Sequence, residues 1–463
     1  MAKTKIICTI GPEEDDKKIR LLLENGMDVA RLNGSYFFGE EENFKKRIKL
    51  IRSISDSISI LLDLPGPKVR TKMKENICLK KGDHIGFFYD RCDALTELKK
   101  IEVTGPLLHV GVNDIILADD GNLEFKVIEL NKNLIIAQIL NEGTLIHGKG
   151  LNFPTKELIS EYLRERDKIL IKFARENELD FVGASFVRDK TDVIKLREFL
   201  AGSNVKIISK IETKAALKNL EEIIEVSDAI MIDRGDLSAE TKMEHLPIIQ
   251  KEIIKTANKI GKPVITATEL LHNMIKNSKP TKAEISDIAN AVLDGTSAVM
   301  LSGETAIGIN PIESLKTMKR IIENTEELLD YKLFDYNLND QELSNAISKS
   351  VYNLSNQLKI NKIVCFAGDG YTPKMISRFK PSIPIIAVTN SKNVQRSLNL
   401  VWGVTPIYIL DFDNNLTKSI KSLLELKKLS KDDLIIVTQA EEIIGELKLN
   451  SIIIKEVSKF SLK

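Results

Sequence analysis

Residues 205–212 read VKIISKIE, and residues 229–236, one helix length further on, read AIMIDRGD. Residues 205–209 and 229–232 are short apolar, β-branched runs of the kind that form a strand buried on both faces. Both runs end in charge. Lys210 and Glu212 close the first, and Asp233, Arg234 and Asp236 follow the second. A lysine and two carboxylates, Glu212 and Asp236, at neighbouring strand ends fit a hard divalent ion with a fixed cation beside it, which is what phosphoryl transfer requires. They equally fit a plain salt bridge on a barrel rim, and these residues alone do not separate the two readings.

Working outward, six more runs of the same type occur at 5–10, 29–32, 58–63, 181–186, 263–268 and 298–301. Amphipathic stretches such as 17–25, 42–54, 193–200, 215–225 and 282–293 lie between them. Eight strands alternating with helices predict an α/β fold built on a (β/α)8 TIM barrel. The interval between the third and fourth runs is too long for one helix. It holds short β-rich runs at 77–88, 115–117, 123–130 and 134–139, punctuated by Gly82-Asp83, Asp120-Gly121-Asn122 and Asn131-Lys132-Asn133. Those are turn signals, and they predict a small all-β domain inserted after the third strand. From about residue 334 the pattern restarts, with strand-like runs at 362–366, 383–389, 405–410, 434–438 and 451–455 separated by helical ones, which predicts a C-terminal α/β domain. The expected division is 1–66 with 148–333 as the discontinuous barrel, 67–147 as the inserted lid and 334–463 as the C-terminal domain.

Composition narrows the function. The 463 residues exceed one ordinary core, and 43% hydrophobic content is enough to fill several. A net charge of +1 gives no electrostatic case for nucleic acid or an anionic membrane as partner. Cys8, Cys78, Cys92 and Cys365 are too widely spaced for a zinc site or a disulfide framework, which fits a reducing, cytoplasmic setting. Residues 1–7 are too short and polar for a signal peptide, and no apolar run is long enough for a membrane span.

Barrel enzymes carry their chemistry at the C-terminal ends of the strands. Here those ends supply Thr9, then Arg31, Asn33 and Ser35, then Asp63 and Arg70, then Ser185 and Arg188, then Lys210 and Glu212, then Asp236, Thr268, and finally Ser302 and Glu304. The segments TKIICTIGP (4–12), ARLNGS (30–35), KIET (210–213), RGDL (234–237), PTKAE (280–284) and LSGET (301–305) resemble the pyruvate kinases in content, order and spacing. The resemblance covers nearly the whole chain. It implies transfer of a phosphoryl group from phosphoenolpyruvate to ADP, giving pyruvate and ATP in glycolysis. By that resemblance Glu212 and Asp236 hold an essential Mg²⁺, with Mn²⁺ or Co²⁺ as possible substitutes. Lys210 stabilises the phosphoryl group in flight, Arg31 holds phosphate, and Arg70 is a second active-site arginine near the hinge of the inserted domain. Gly235 and Asp236 bind the substrate carboxylate through their amides, with Thr268 near the methylene face and Ser302 and Glu304 behind it. Asp119 lies where the inserted domain closes over the site. A homotetramer is also implied.

Several positions depart from the family pattern. Asn33, Ser35 and Asp63 match three ligands of the potassium ion that many members need, but the fourth position is Leu64, whose side chain offers no oxygen. Lys68 stands where Glu is frequent. A tethered ammonium can supply the charge of the missing ion, so activity without potassium is expected. Around the nucleotide, Arg31, Asn33, Tyr36 and Lys190 are the expected contacts. Tyr36 replaces a usual histidine and Asp189 a usual lysine. Asp233 also departs from the pattern, and it either tightens the metal or pairs with Arg234. Residues 368–372 (GDGYT), between a strand and a helix, suit a phosphorylated effector or a plain loop. Two other readings remain open: a barrel lyase or decarboxylase acting on a related acid through the same carboxylates, and a catalytically silent sensor.

Overall fold

The structure, a computed structural model, describes residues 2–12, 16–90, 98–105, 110–119, 121–131, 133–154, 161–329, 336, 342–410, 416–443 and 446–460. Cys92, Asp120, Lys132 and the expected domain join at 333–334 lie outside the described residues.

Eight parallel strands close into a barrel in sequence order: Lys5–Thr9, Val29–Asn33, Ser59–Asp63, Phe181–Ala184, Lys206–Ile211, Ala229–Asp233, Val264–Ala267 and Ala298–Leu301. The last pairs with the first through Lys5 and Ala298. Side chains alternate between two apolar layers, because successive strand residues face opposite sides. Ile7, Val29, Leu61, Phe181, Ile208, Met231, Ile265 and Met300 share one cluster inside the ring. Their neighbours Ile6, Ala30, Ile60, Val182, Ile207, Ile230, Val264 and Val299 pack in the layer shared with the helices. The helices have ordinary stops and starts. Leu246–Ile260 ends on Gly261 at φ 82°, and Lys282–Leu293 opens with a Thr281–Glu284 capping box.

The insert is a second closed barrel. Its seven strands are Val69–Lys72, His84–Phe88, Lys100–Val103, Ile115–Ala118, Leu123–Asn131, Leu134–Ile139 and Gly150–Asn152. Phe87 and Phe125 meet edge to face at its centre, 5.2 Å apart. The run read as continuous from 77 to 88 is two strands, Ile77–Leu79 and His84–Phe88, separated by the Gly82 turn. Gly150–Asn152 pairs with both Val69–Lys72 and Ile115–Ala118, so the insert extends to at least residue 152 and the expected boundary at 147/148 is corrected.

The C-terminal unit is a five-stranded sheet in the order Val404–Tyr408, Ile385–Thr389, Lys362–Phe366, Leu434–Ile443, Glu446–Glu456. The first four are parallel and the last returns antiparallel. This unit is bound tightly to the N-terminal end of the barrel. Leu400 joins the apolar cluster inside the ring. Gly403 N–H donates to the Lys3 carbonyl at 2.9 Å and Lys5 Nζ to the Val404 carbonyl at 2.8 Å. Buried Asp180 takes Arg396 at 2.5 Å, Arg52 at 2.6 Å and the Ile60 amide at 2.7 Å.

Candidate active site

The alternation that fills the ring with apolar side chains also aims the polar ones. Thr9, Arg31, Asp63, Lys210, Asp233 and Ser302 each stand two residues beyond an inward apolar residue, and Glu212 stands two beyond Lys210. Asp63, Glu212 and Asp233 converge on Lys210. Its ammonium lies 2.7 Å from Glu212, 3.0 Å from Asp233 and 3.6 Å from Asp63, and donates to Ser185 Oγ at 3.1 Å. Asp63 also receives Arg31 through Nε at 3.0 Å and a terminal nitrogen at 2.7 Å, while Arg31 reaches Thr9 Oγ1 at 2.9 Å. Glu212 accepts the Phe186 amide at 2.6 Å, with Phe186 held at φ 55°. Gly183 makes the close approach possible, since a Cβ there would fall 2.7 Å from Asp63 Oδ1.

The charges are strongly coupled. Burial pushes the Lys210 ammonium down, but Asp63, Glu212 and Asp233 overcome it and hold the group well above its usual range. Burial raises Glu212 to about 8, opposed by Lys210 and reinforced by Asp233 and Asp236. Asp233 is also pushed up by burial, yet Lys210 outweighs this and draws it down to about 2. Asp233 therefore pairs with Lys210. Arg234 turns away to Asp287 at 2.6 Å and the Thr268 carbonyl at 2.6 Å, so the expected choice of Arg234 as partner for Asp233 is corrected.

Glu212, Asp233 and Asp236 each offer an oxygen within 4.8 Å of the others. Glu212 Oε1 is buried against the Lys210 ammonium at 2.7 Å, which favours the charged carboxylate in a site closed to water. A compact all-oxygen donor set of this kind suits Mg²⁺, and the residues fit it. Lys68 crosses from the edge of the insert to bind Asp236, its side chain 6% exposed. This contradicts any solvent-pointing role for Lys68, and it sets the ammonium on the metal side of the site. Lys68 lies against Gly150, where a Cβ would come within 1.9 Å of its Cε.

At the end of the neighbouring strand, Thr268 and Glu269 both hold positive φ, at 65° and 55°. Such strain in non-glycine residues persists where surrounding structure enforces it, commonly at functional sites. Thr268 Oγ1 accepts the Gly235 amide at 3.0 Å, so that N–H is engaged here rather than open to a ligand. Glu304, buried, accepts from the Ser302 amide at 2.7 Å and the Leu271 amide at 3.1 Å, bracing the last two strand ends. Ser302 Oγ is buried and unpartnered.

Other expected residues stand apart from this centre. Arg70 lies on the insert and donates to the Gly148 carbonyl at 3.0 Å. Asp119 is paired with Lys149. Asn33 caps the short turn at Gly34–Tyr36 by accepting from Ser35 N, and Leu64 is buried in the apolar layer. Tyr36 is 71% exposed. Lys190 sits 3.3 Å from Glu222. Asp189 caps the helix Lys190–Phe199 through the Thr191 and Asp192 amides, a local reason for a carboxylate there. In the C-terminal unit Asp369 accepts the Tyr371 amide at 2.8 Å at the start of the helix Tyr371–Ser377, which favours the plain-loop reading of residues 368–372 over the effector one. Ser185, read from sequence as a strand-end residue, does reach Lys210. Gly183 and Gly150 shape the site without having been singled out, and a glycine in sequence gives no signal of what a missing Cβ admits.

The chain matches the family model described as pyruvate kinase, barrel domain, over residues 1–315, and that described as pyruvate kinase, alpha/beta domain, over 345–454. It is 40% identical to a pyruvate kinase of Bacillus licheniformis over 95% of this chain and 78% of that one. It is likewise 40% identical to one of Staphylococcus aureus over 95% and 77%. Among solved structures, a pyruvate kinase from Cryptosporidium parvum superposes with a TM-score of 0.88 at 31% identity, covering 98% of this chain and 96% of the other.

Proposed function

Because the chain belongs to the pyruvate kinase family of phosphotransferases, we propose that its strand-end cluster moves the phosphoryl group of phosphoenolpyruvate to ADP, releasing pyruvate and ATP in glycolysis in the cytoplasm. The observation that carries this reading is the Lys210 ammonium, fixed among Asp63, Glu212 and Asp233 beside the Glu212–Asp236 carboxylates. Glu212 and Asp236 would hold the Mg²⁺, or Mn²⁺ or Co²⁺ in its place. A bound divalent ion neutralises phosphoryl oxygens as a Lewis acid. Lys210 adds a positive charge that needs no reorganisation when the phosphoryl group passes. Arg31, held by Asp63 and Thr9, presents its guanidinium at the same mouth. Transfer leaves an enolate, whose methylene carbon must gain a proton. Thr268, Ser302 and Glu304 line the side on which that proton would arrive. Arg70 and Asp119, on the insert, would reach substrate as the lid closes and excludes water. Tyr36 and Lys190 would flank the nucleotide, and a homotetramer is the expected assembly.

Potassium is not expected to be required. Lys68 keeps an ammonium in the buried site, and Leu64 supplies no side-chain oxygen at the family's potassium position. Pyruvate formation from phosphoenolpyruvate, ADP and Mg²⁺ should therefore change less than about twofold when potassium replaces a large organic cation, since the charge is already supplied. Product only with potassium would refute the role given to Lys68. No product with any metal or diphosphate would refute the kinase reading. Gly150→Ala offers a second check, because its methyl must dislodge Lys68. Turnover without potassium is expected to fall about tenfold, as displaced groups in an organised site cost at least that much, with partial recovery when potassium is added. An unchanged rate would mean that the position of Lys68 is not used.

A further inference from the structure

At the other pole of the barrel, a small cleft lies between the strand starts and the C-terminal unit. Lys262 and Ser297 line it just before the strands Val264–Ala267 and Ala298–Leu301, so it is remote from the strand-end cluster. The other wall is Lys374, Ser377, Arg378 and Lys380. Four cations face one space, and none forms a salt bridge among the described residues. Buried charges are ordinarily paired, as Arg396 is with Asp180 and Arg31 with Asp63.

Two of the four are deeply enclosed. Lys380 is 1% exposed, and its ammonium lies 5.0 Å from the face of Trp402 with no hydrogen-bond acceptor among the described residues. Arg378 is 5% exposed; its terminal nitrogens reach Asn345, Ser348 and the Lys259 carbonyl, but its Nε–H is buried with no acceptor. Lys262 donates to the Glu225 and Ser227 carbonyls, with the Asp228 and Glu225 carboxylates acting on its charge from further off. The approach of the two units is built in at Gly261, where a Cβ would strike Met375 at 2.1 Å.

We propose that this cleft binds a phosphoryl oxyanion, either free phosphate or the phosphate end of a small metabolite, held by Lys374, Arg378 and Lys380. A tetrahedral anion supplies an acceptor for the Arg378 Nε and countercharge for both lysines. Burial lowers Lys380 to about 7, with Glu326 pulling weakly the other way, and a bound anion would restore its full charge. The site is separate from the loop 368–372, where Asp369 occupies the helix start.

Trp402 is the sole tryptophan of the chain and touches Lys380, so its emission reports on the cleft rather than on the strand-end mouth. The full chain is titrated with inorganic phosphate, and separately with glycerol 3-phosphate, at ionic strength held constant with chloride. A saturable change in emission is expected with at least one of them. Tighter binding of the ester assigns the cleft to a metabolite, and tighter binding of the free ion assigns it to phosphate. Lys374→Met, half-buried and tolerant of change, should weaken binding at least tenfold while the melting temperature in chloride holds. Lys380→Met should abolish the response. Emission that tracks ionic strength alone, or unchanged half-saturation in Lys374→Met, overturns the proposal.

Discussion

Lys210→Ala is expected to lower kcat by about 10³-fold or more, a barrier increase of about 4 kcal/mol, in line with the loss of one preorganised charge at a developing anion. The same change leaves Asp63, Glu212 and Asp233 facing one another without their shared cation. Removing one partner of a buried ion cluster typically costs about 3–5 kcal/mol of stability. The variant should therefore melt earlier, and added Mg²⁺ should recover part of the loss by replacing the missing charge. Single-turnover rates on the folded variant, measured beside its melting curve, separate the two effects. A rate within about tenfold of the parent, roughly 1.4 kcal/mol, would show that the ammonium does not act on the phosphoryl group.

Glu212→Gln is the second large effect. The amide oxygen can still accept the Phe186 N–H, and Lys210 keeps Asp233 at 3.0 Å, so the fold should survive. What disappears is one of two anionic ligands for a hard cation. Apparent Mg²⁺ affinity is expected to fall at least about 100-fold, more than the loss usual for a supporting group around a metal. Turnover at saturating metal should remain well below that of the parent. Mn²⁺ binding followed by paramagnetic relaxation reads affinity without reference to activity. Equal Mn²⁺ affinity in both proteins would remove Glu212 from the metal site.

The barrel was legible because its strands are continuous apolar runs, and Ala298–Leu301 has the limits read from sequence. The insert was less so. Val69–Lys72, Lys100–Val103 and Gly150–Asn152 are three or four residues long and include charged or small residues. Their strand character comes from closing a ring, a long-range constraint that a short window does not contain. The final antiparallel strand was visible as a strand, but orientation leaves no mark on residue periodicity. At the site, the charged strand ends stood out. The partner of Asp233 did not, although counting in twos from Ala229 through Met231 sets Asp233 inward and Arg234 out. Contacts that depend on a missing side chain, at Gly150 and Gly183, or on a main-chain amide, at Phe186, are settled only by the folded backbone.

Leu400 gives the architecture a further meaning. It comes from the C-terminal unit, yet it packs with Ile7, Leu61, Phe181 and Ile208 inside the barrel and is 1% exposed. The catalytic ring thus borrows its floor from a part of the chain that contributes nothing at the mouth. A fragment ending near residue 329 would lose that stopper, about 2–3 kcal/mol of apolar burial, and would strand Asp180 with one arginine instead of two. The two units are interlocking pieces rather than modules on a string. Recombination that swaps one C-terminal unit for another would have to carry a matching plug with it, or the barrel would take in water from below.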